Sequence, residues 1–305
     1  METIAIGKSD LITSRLVYGC WRIVGDNTAE SREKGKSAVR TAYEQGFTHF
    51  DHADVYGGGK CEALFSEVLN DIPGMREDII ITSKCGIRGQ GNPEPDDPTR
   101  YDFGYDYILQ CVEGSLGRLG IDTIDIFLLH RPDYLFQPEE VARAFSDLSA
   151  SGKVRHFGVS NFRPSQVTLL QKFCDMPLLM NQVEINIHNI DSLLDGTLDQ
   201  CQELGITPVA WSPLAGVVYQ AGGNTFSDGD EDRIAEEFKR QSEKYGVEPW
   251  VIILAWLLIH PSRILPIIGT STPSRVVESL KALGVPYTRE DWYRLLEARN
   301  GYRVP

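Results

Sequence analysis

Residues 124–129 read Ile-Asp-Ile-Phe-Leu-Leu, a short run whose apolar side chains would point to both faces of an extended segment. That pattern is typical of a parallel strand buried between a core and covering helices, because neither face meets water. Seven similar runs make eight in the chain, and most are spaced by about 30 residues, the size of one β-α-β unit. They lie at residues 16–18, 47–51, 79–82, 155–159, 178–180, 208–211 and 264–267.

Amphipathic segments separate these runs and predict helices. They cover residues 31–45, 105–119, 138–151, 164–173 and 231–245. Eight strand–helix units in a chain of 305 residues favour an α/β fold of the closed type, a (β/α)8 TIM barrel, over an open doubly wound sheet. The sequence has no linker rich in Pro or Ser, so we interpret residues 1–305 as a single domain.

Three segments lie outside the strand–helix repeat. Residues 4–12 alternate around a Gly-Lys-Ser-Asp turn, which predicts an N-terminal β-hairpin at the bottom of the barrel. Residues 86–104 and 216–230 lack periodicity and follow the third and seventh predicted strands. In a barrel both would be long loops on the C-terminal face, where such loops serve binding or closure.

The composition excludes several classes of function. Thirty Lys and Arg against 43 Asp and Glu give a net charge of −13, which disfavours a nucleic acid or an anionic membrane as partner. Six cysteines without a Cys-x-x-Cys pair argue against a disulfide scaffold or a zinc ribbon. The longest apolar stretch, residues 250–259, is far shorter than the ~20 residues of a membrane span. Since the N-terminus does not resemble a secretion signal, we expect a soluble, cytoplasmic protein.

Polar residues stand at the ends of three predicted strands. Asp51 and Tyr56 end or follow the second strand, Lys84 ends the third, and His130 follows the fourth. The C-terminal ends of barrel strands meet at one mouth, where the active sites of such barrels lie. A buried Lys or His must be paired, hydrated or catalytic to offset the cost of burial. We therefore predict that these four side chains form one catalytic site.

Such a group would transfer a proton to a substrate. A tyrosine with a pKa near ~10 donates poorly at neutral pH, but a neighbouring ammonium stabilises the phenolate and lowers that pKa. Asp51 would keep Lys84 charged in a dry setting. His130 would orient a carbonyl oxygen beside the hydroxyl of Tyr56.

These four residues resemble the catalytic tetrad of the aldo-keto reductase superfamily, in the same order and at comparable spacings. Further motifs of that family recur along nearly the whole chain. They are Gly-Val-Ser-Asn-Phe at 158–162, Asn-Gln-Val-Glu at 181–184, Trp-Ser-Pro-Leu at 211–214 and the tail motif at 269–279. Asp-His-Ala-Asp at 51–54 and His-Arg-Pro-Asp at 130–133 resemble the bacterial oxidoreductase branch related to the potassium-channel β-subunits.

The resemblance implies that a nicotinamide cofactor, NADPH or NADP+, binds beside Asp51 and reacts with a small carbonyl substrate. Three residues would hydrogen-bond its carboxamide and a fourth would stack on its ring: Ser160, Asn161 and Gln182, then Trp211. The pyrophosphate would lie along the next segment, under a lid formed by the following loop: Ser212, Pro213, Leu214 and Gly216. The end of the first strand would line the nicotinamide and substrate side: Gly19, Cys20 and Trp21. The substrate itself would contact Trp21, Tyr56 and His130.

The tail motif is implied to bind the adenosine end of the cofactor. Thr272-Pro273 resembles a helix start with a hydroxyl cap and a proline in the first turn. Ser271, the first amides of that helix and Arg275 would hold a 2′-phosphate, because helix N-termini and guanidinium groups bind anions.

Two further residues of the tail motif, Glu278 and Ser279, are implied to reach the adenine. Position 269 departs from the family pattern, because Gly269 stands where many members carry a phosphate-pairing lysine. The preference for NADPH over NADH therefore rests chiefly on Arg275.

Two other functions compete with a reductase. His49, Asp51, His52 and Asp54, with His130 and Asp133, are the residue types that hold a metal in barrel hydrolases. Strand alternation would place His49 and Asp51 on one face and His52 on the other, which weakens a single metal cluster, so we predict no metal. The second alternative keeps the fold and the cofactor but makes the chain an NADP-binding redox-sensing protein, as the resemblance to channel β-subunits allows.

Overall fold

Eight parallel strands close into a barrel in the computed structural model, which describes residues 1–214 and 228–305. In chain order the strands are β1 (Thr3–Ala5), β2 (Ile12–Ser14), β3 (Val17–Gly19), β4 (His49–Asp51), β5 (Ile80–Cys85), β6 (Ile87–Arg88), β7 (Arg100–Tyr101), β8 (Ile124–Leu129), β9 (Val154–Ser160), β10 (Leu178–Glu184), β11 (Thr207–Trp211) and β12 (Leu265–Ile268). The barrel runs β3-β4-β5-β8-β9-β10-β11-β12, and β12 pairs with β3 to close it. The predicted (β/α)8 barrel and its eight strands are confirmed.

Helices follow the barrel strands in the described parts of the chain. They are α1 (Ala29–Glu44), α2 (Lys60–Asp71), α3 (Met75–Asp78), α4 (Tyr105–Leu119), α5 (Pro138–Ala150), α6 (Pro164–Gln171), α7 (Asp191–Leu194), α8 (Thr197–Leu204), α9 (Asp228–Tyr245), α10 (Pro249–Leu258), α11 (Pro273–Ser279) and α12 (Arg289–Asn300). Two 3-10 helices cover Tyr56–Gly59 and Leu280–Gly284. The five helices predicted from periodicity are all present, with ends that differ by a few residues.

The predicted N-terminal hairpin is confirmed and closes the bottom of the barrel. β1 pairs antiparallel with β2. At the turn, the amide of Gly7 donates to Oγ1 of Thr207, at the first residue of β11, over 2.8 Å. Ile4 and Ile6 are buried in one cluster with barrel residues such as Leu179. Apolar contact therefore fills the N-terminal end of the barrel and leaves the opposite end for the site.

Strand alternation decides which side chains enter the barrel. Along β8, Ile126 and Leu128 belong to the interior cluster, whereas Phe127 and Leu129 pack against the covering helices. The next interior position beyond Leu128 is His130, just past the end of the strand. The same alternation along β5 places Ile80 inside and Ile81 outside, so that Lys84 points inward as well.

The predicted loops differ from the structure in two places. The segment 86–104 is not wholly irregular, because β6 and β7 pair antiparallel within it. Helix α9 begins at Asp228, three residues inside the stretch predicted as loop, and residues 216–227 lie outside the described residues. Among the residues that are described, no helix combines the length and hydropathy needed to cross a membrane.

Candidate active site

The ammonium of Lys84 organises the centre of the site. This side chain is fully buried, and Nζ donates to Oδ2 of Asp51 over 2.8 Å, to the carbonyl of His52 over 2.6 Å and to the hydroxyl of Tyr56 over 3.1 Å. The three N–H donors of the ammonium are thereby all satisfied. Burial on its own lowers the pKa of Lys84, but Asp51 and Tyr56 reverse that effect and the net pKa is raised. Lys84 is therefore a permanently charged group next to the Tyr56 hydroxyl.

The hydroxyl of Tyr56 carries a pKa above its ordinary value, contrary to the prediction from sequence. Burial raises the pKa of Tyr56, and this effect exceeds the lowering by the ammonium of Lys84; the Asp51 carboxylate adds to the rise. The neighbouring charge of Lys84 is present as predicted, but the loss of water around the phenolate on burial outweighs it. Tyr56 is accordingly a neutral phenol at physiological pH, which is the form that can give up a proton.

His130 completes the group from the other side of the Tyr56 ring. The two rings meet edge to face with centroids 5.9 Å apart. Burial lowers the pKa of His130 well below its usual value, and the charges of Lys84 and Arg131 lower it further. The imidazole is therefore neutral. Its Nδ1 atom is buried and has no hydrogen-bond partner within the described part of the chain. A proton on the other ring nitrogen would leave His130 able to donate one hydrogen bond to a substrate oxygen.

A cavity of about 470 Å³ opens at this end of the barrel and contains most of the predicted site residues. Lys84 lies behind the wall of the cavity, in contact with Asp51 and Tyr56. The predicted residues that line the cavity are Gly19, Trp21, Asp51, Tyr56, His130, Ser160, Asn161, Gln182, Trp211, Ser212, Pro213, Leu214, Gly269 and Arg275. The sequence therefore identified residues from seven different barrel strands or strand ends that share one space.

One wall of the cavity is a hydrogen-bonded chain of amide and hydroxyl groups. Ser160 Oγ donates to the carbonyl of Gln182 over 2.8 Å. Asn161 Nδ2 donates to the carbonyl of His130 and to Ser160 Oγ, and Asn161 Oδ1 accepts from the indole N–H of Trp211 over 2.9 Å. Both donors of the Asn161 amide are thus used within the protein, so that only the second lone pair of its oxygen is left for a ligand.

The backbone of two residues in this wall lies in the left-handed region that L-amino acids rarely adopt. The φ angle of Asn161 is 60° and that of Ser212 is 47°. Such conformations cost free energy and persist where surrounding contacts enforce them, and they concentrate at functional sites. The side-chain bonds of Asn161 supply that enforcement, which supports the assignment of this wall as a ligand-binding surface.

Arginine side chains occupy two positions that the sequence argument did not assign. The guanidinium of Arg131 lies over the Trp211 ring, 5.2 Å from its centroid. A nicotinamide stacked on Trp211 would share the ring with this cation. The guanidinium of Arg22 lies over the Trp21 ring at 4.5 Å. In the sequence, the signal for each arginine is its position directly after a predicted site residue, His130 for Arg131 and Trp21 for Arg22.

Of the predicted cofactor residues that the structure describes, four do not line the cavity. Cys20 is fully buried among the residues behind β3, because alternation turns it away from the barrel while Gly19 faces inward. Ser279 is also fully buried, and its hydroxyl donates to the carbonyl of Val276 over 2.6 Å, which gives it a packing role. Glu278 pairs with Lys281 over 3.1 Å. The fourth predicted cofactor residue outside the cavity lining is Ser271.

The strand end before α11 also differs in detail from the prediction. Thr270, not Ser271, lines the cavity. Helix α11 begins at Pro273 as predicted, but the Thr272 hydroxyl makes no capping hydrogen bond, and its amide donates instead to Oγ1 of Thr270 over 3.1 Å. The predicted contact of Gly216 with the pyrophosphate, and the predicted lid, fall largely outside the described residues.

The residues considered for a metal site point in different directions. Nε2 of His49 lies 2.7 Å from Oγ1 of Thr82 inside the barrel. His52 packs on the outer side against Phe65, with ring centroids 4.5 Å apart. Asp133 accepts hydrogen bonds from loop amides, including that of Phe103. Within residues 1–214 and 228–305, no three His, Cys, Asp or Glu side chains are grouped as metal ligands would be. The hydrolase interpretation therefore gains no support from the placement of these residues.

Comparisons with known proteins agree with one another. A family model described as the aldo/keto reductase family matches residues 15–300. A protein of Escherichia coli named oxidoreductase YdhF is 41% identical over 308 residues, and a 6-dehydroglucose reductase of Agrobacterium fabrum is 37% identical over 305 residues; each match covers all of both chains. The crystal structure of a thermostable aldo-keto reductase, Tm1743, superposes with a TM-score of 0.83 at 28% identity, covering 98% of this chain and all of the other.

Proposed function

The chain belongs to the aldo/keto reductase family, and on that premise we propose that it is an NADPH-dependent reductase that converts aldehydes or ketones to alcohols. The observation that carries this proposal is the position of Lys84. Its ammonium donates to both Asp51 and Tyr56, and the Tyr56 hydroxyl and the His130 ring line the same cavity. A neutral phenol and a neutral imidazole beside one another are suited to a carbonyl oxygen, which accepts two hydrogen bonds.

The residues of the cavity fit a nicotinamide cofactor. Gln182 and Ser160 present polar groups near Asp51, and Trp211 presents an aromatic ring. Arg275, farther along the wall at α11, supplies a positive charge for a phosphate. These features match the carboxamide, the flat ring and the anionic end of such a cofactor in that order. Bound there, it would supply the hydride for the carbonyl carbon.

Tyr56 then acts as the general acid. Its hydroxyl gives its proton to the carbonyl oxygen as negative charge develops there, and the phenolate that remains is stabilised by the hydrogen bond from Lys84. Asp51 keeps the ammonium charged during this step because its carboxylate lies 2.8 Å from Nζ. His130 holds the oxygen in line with the phenol. The raised pKa of Tyr56 keeps the phenol protonated until substrate is bound.

The wall that would receive the substrate combines aromatic and cationic surface. Trp21 lies 6.3 Å from Tyr56 between ring centroids and has 54% of its surface exposed, and Trp250 also lines the cavity. Arg131 adds a guanidinium that can hydrogen-bond hydroxyl or carboxylate groups. We infer that the substrate is a small aldehyde or ketone with both apolar and hydrogen-bonding parts.

The experiment is a panel of aromatic aldehydes, aliphatic ketones and a 6-aldehydo sugar, assayed by loss of NADPH absorbance with and without a chelator. The sugar is included because a relative at 37% identity is named for reducing one. We expect NADPH consumption that the chelator does not change. Tight NADPH binding without turnover of any compound would favour the redox-sensing alternative, and chelator-sensitive activity without NADPH consumption would favour a metal hydrolase.

A further inference from the structure

Arg22 approaches the point at which a side chain would begin at position 269. A Cβ atom placed on Gly269 would lie 3.3 Å from Nη1 of Arg22, and no other atom of the described residues outside its chain neighbours comes within 4 Å of it. Gly269 directly follows β12, and the neighbouring strand β3 ends at Gly19, whose own Cβ would lie 3.7 Å from Cα of Gly269. A Cβ on Gly19 would instead meet Cγ2 of Ile267 at 2.5 Å, so the open space at the seam belongs to Gly269, and the Arg22 guanidinium lies beside it.

The guanidinium of Arg22 lies 4.5 Å from the centroid of the Trp21 ring, a distance at which the cation and the indole attract each other. Arg22 and Arg275 both line the cavity that contains the Asp51 and Tyr56 site. In a chain with a net charge of −13, two guanidinium groups in one cavity make a locally positive region that favours an anion.

We propose that Arg22 and Arg275 together bind a phosphate monoester, the 2′-phosphate of NADPH, and that Arg22 takes the place that Gly269 leaves open. This inference rests on the proposed function. A phosphate monoester carries a charge of about −1.5 to −2 at neutral pH, whereas each phosphate of the pyrophosphate link carries about one negative charge, so two guanidinium groups match the monoester better. Arg22 thereby supplies the second positive charge of the site.

The primary test measures binding of two ligand pairs without any turnover. NADPH and NADH are titrated by fluorescence, and 2′-phospho-ADP-ribose and ADP-ribose by calorimetry. Arg22→Ala should weaken binding of the two 2′-phosphorylated ligands roughly ten- to hundredfold and leave the other two within about twofold. Arg275→Ala should behave alike, and the double variant should bind NADPH no better than NADH. Arg303→Ala, which removes an exposed arginine outside the cavity, is the matched control and should change nothing.

A rescue variant separates phosphate binding from a structural role. Because Arg22 is the one described residue, apart from the chain neighbours, within 4 Å of the Cβ position at 269, Gly269→Lys in the Arg22→Ala background should fit and restore at least part of the NADPH affinity. Equal losses of affinity for all four ligands would overturn the proposal, because they would show that Arg22 binds the pyrophosphate or is needed for the fold. Unchanged affinities in Arg22→Ala would overturn it too. Failure of the unaltered protein to bind any of the four ligands would instead refute the proposed function.

Discussion

Gln182 and Asp51 are joined by a hydrogen bond from Nε2 to Oδ1 over 2.7 Å, while the other carboxylate oxygen of Asp51 accepts from Lys84 over 2.8 Å. One buried carboxylate therefore contacts both the proton-transfer group and the wall proposed to bind the nicotinamide. A change in the contacts of Gln182 with the cofactor would therefore alter the hydrogen bonding of Asp51, and with it the position of the Lys84 ammonium beside Tyr56. Asp51 thus couples cofactor binding to proton transfer.

Gln182→Leu should affect cofactor binding and catalysis together. The substitution keeps approximate volume but leaves Asp51 Oδ1 without its donor, and a hydrogen bond to a buried charge is worth about 1.5–3 kcal/mol. We expect KM for NADPH to rise and kcat to fall, each by roughly tenfold. Steady-state kinetics with varied NADPH would measure both, and Gln202→Leu on the surface of α8 is the control. A rise in KM with unchanged kcat would mean that Gln182 contacts the cofactor without influencing Asp51.

Lys84→Met should slow carbonyl reduction, because the variant lacks the ammonium that stabilises the Tyr56 phenolate. The loss should be of the order of 10²-fold or more in kcat. Since the two residues act as one unit, combining Lys84→Met with Tyr56→Phe should be little worse than the more damaging single change. If the loss of kcat in the double variant equals the product of the two single losses, Lys84 acts on the substrate independently of Tyr56. Circular dichroism must accompany the assay because Lys84 is fully buried.

The pH profile of reduction should be flat through neutrality. The pKa of Tyr56 is raised from 10.0 and that of His130 lies well below 6.5, so neither group changes its charge between about pH 7 and 9. The acid form of Tyr56 is the active one, and kcat/KM should therefore decline only at pH values above about 10. Initial rates at constant ionic strength would give the profile. An acid limb near pH 6.5 would show that His130 titrates and that its neutral form is needed.

Asp54 should make the stability of the protein depend on pH. Burial raises the pKa of this carboxyl from 3.8 to about 6. A group whose pKa is raised on folding stabilises the fold fully below its unfolded pKa, and that contribution is lost as the pH rises through about 6. Asp54→Asn mimics the protonated form, so its free energy of unfolding should exceed that of the unaltered protein by roughly 2–3 kcal/mol at pH 7.5 but not at about pH 4.

Urea unfolding at the two pH values would check this expectation. Asp106→Asn, at an exposed position in α4, is the control for the loss of a carboxylate that is not buried. If Asp54→Asn is equally or less stable than the unaltered protein at pH 7.5, the Asp54 carboxylate must have a stabilising contact that outweighs its burial.

Most of the fold followed from the sequence because periodicity and alternation act locally. Apolar runs such as 124–129 identify a buried strand without knowledge of its neighbours, and eight of them leave few architectures. Alternation also explains why His130 and Lys84 face the same space. The assignment of residues 1–305 to one domain and the cytoplasmic location stay predictions.

The remaining features depend on contacts between distant segments. The pKa of Tyr56 is raised because several parts of the fold bury its hydroxyl, and a local sequence pattern does not reveal such burial. The position of Arg22 over Gly269 needs the pairing of β12 with β3, which joins the two ends of the chain. Cys20 and Ser279 were assigned by resemblance, whereas their burial depends on how β3 and α11 pack.

The central claim is that Tyr56 gives the proton to the carbonyl oxygen, and Tyr56→Phe tests it most directly. The ring remains, so packing against His130 and Trp21 changes little, and only the hydroxyl that Lys84 contacts is lost. Tyr101→Phe, which changes a tyrosine in β7 outside the cavity, is the matched control.

The measurement is the single-turnover rate of carbonyl reduction with NADPH already bound, with binding verified by fluorescence titration. General acid catalysis contributes about 10²–10⁴-fold, so the rate in Tyr56→Phe should fall by at least about 10²-fold while the affinity for NADPH stays within about threefold. A rate within about threefold of the unaltered protein, with NADPH bound, would contradict the account and make His130 the next candidate for the acid.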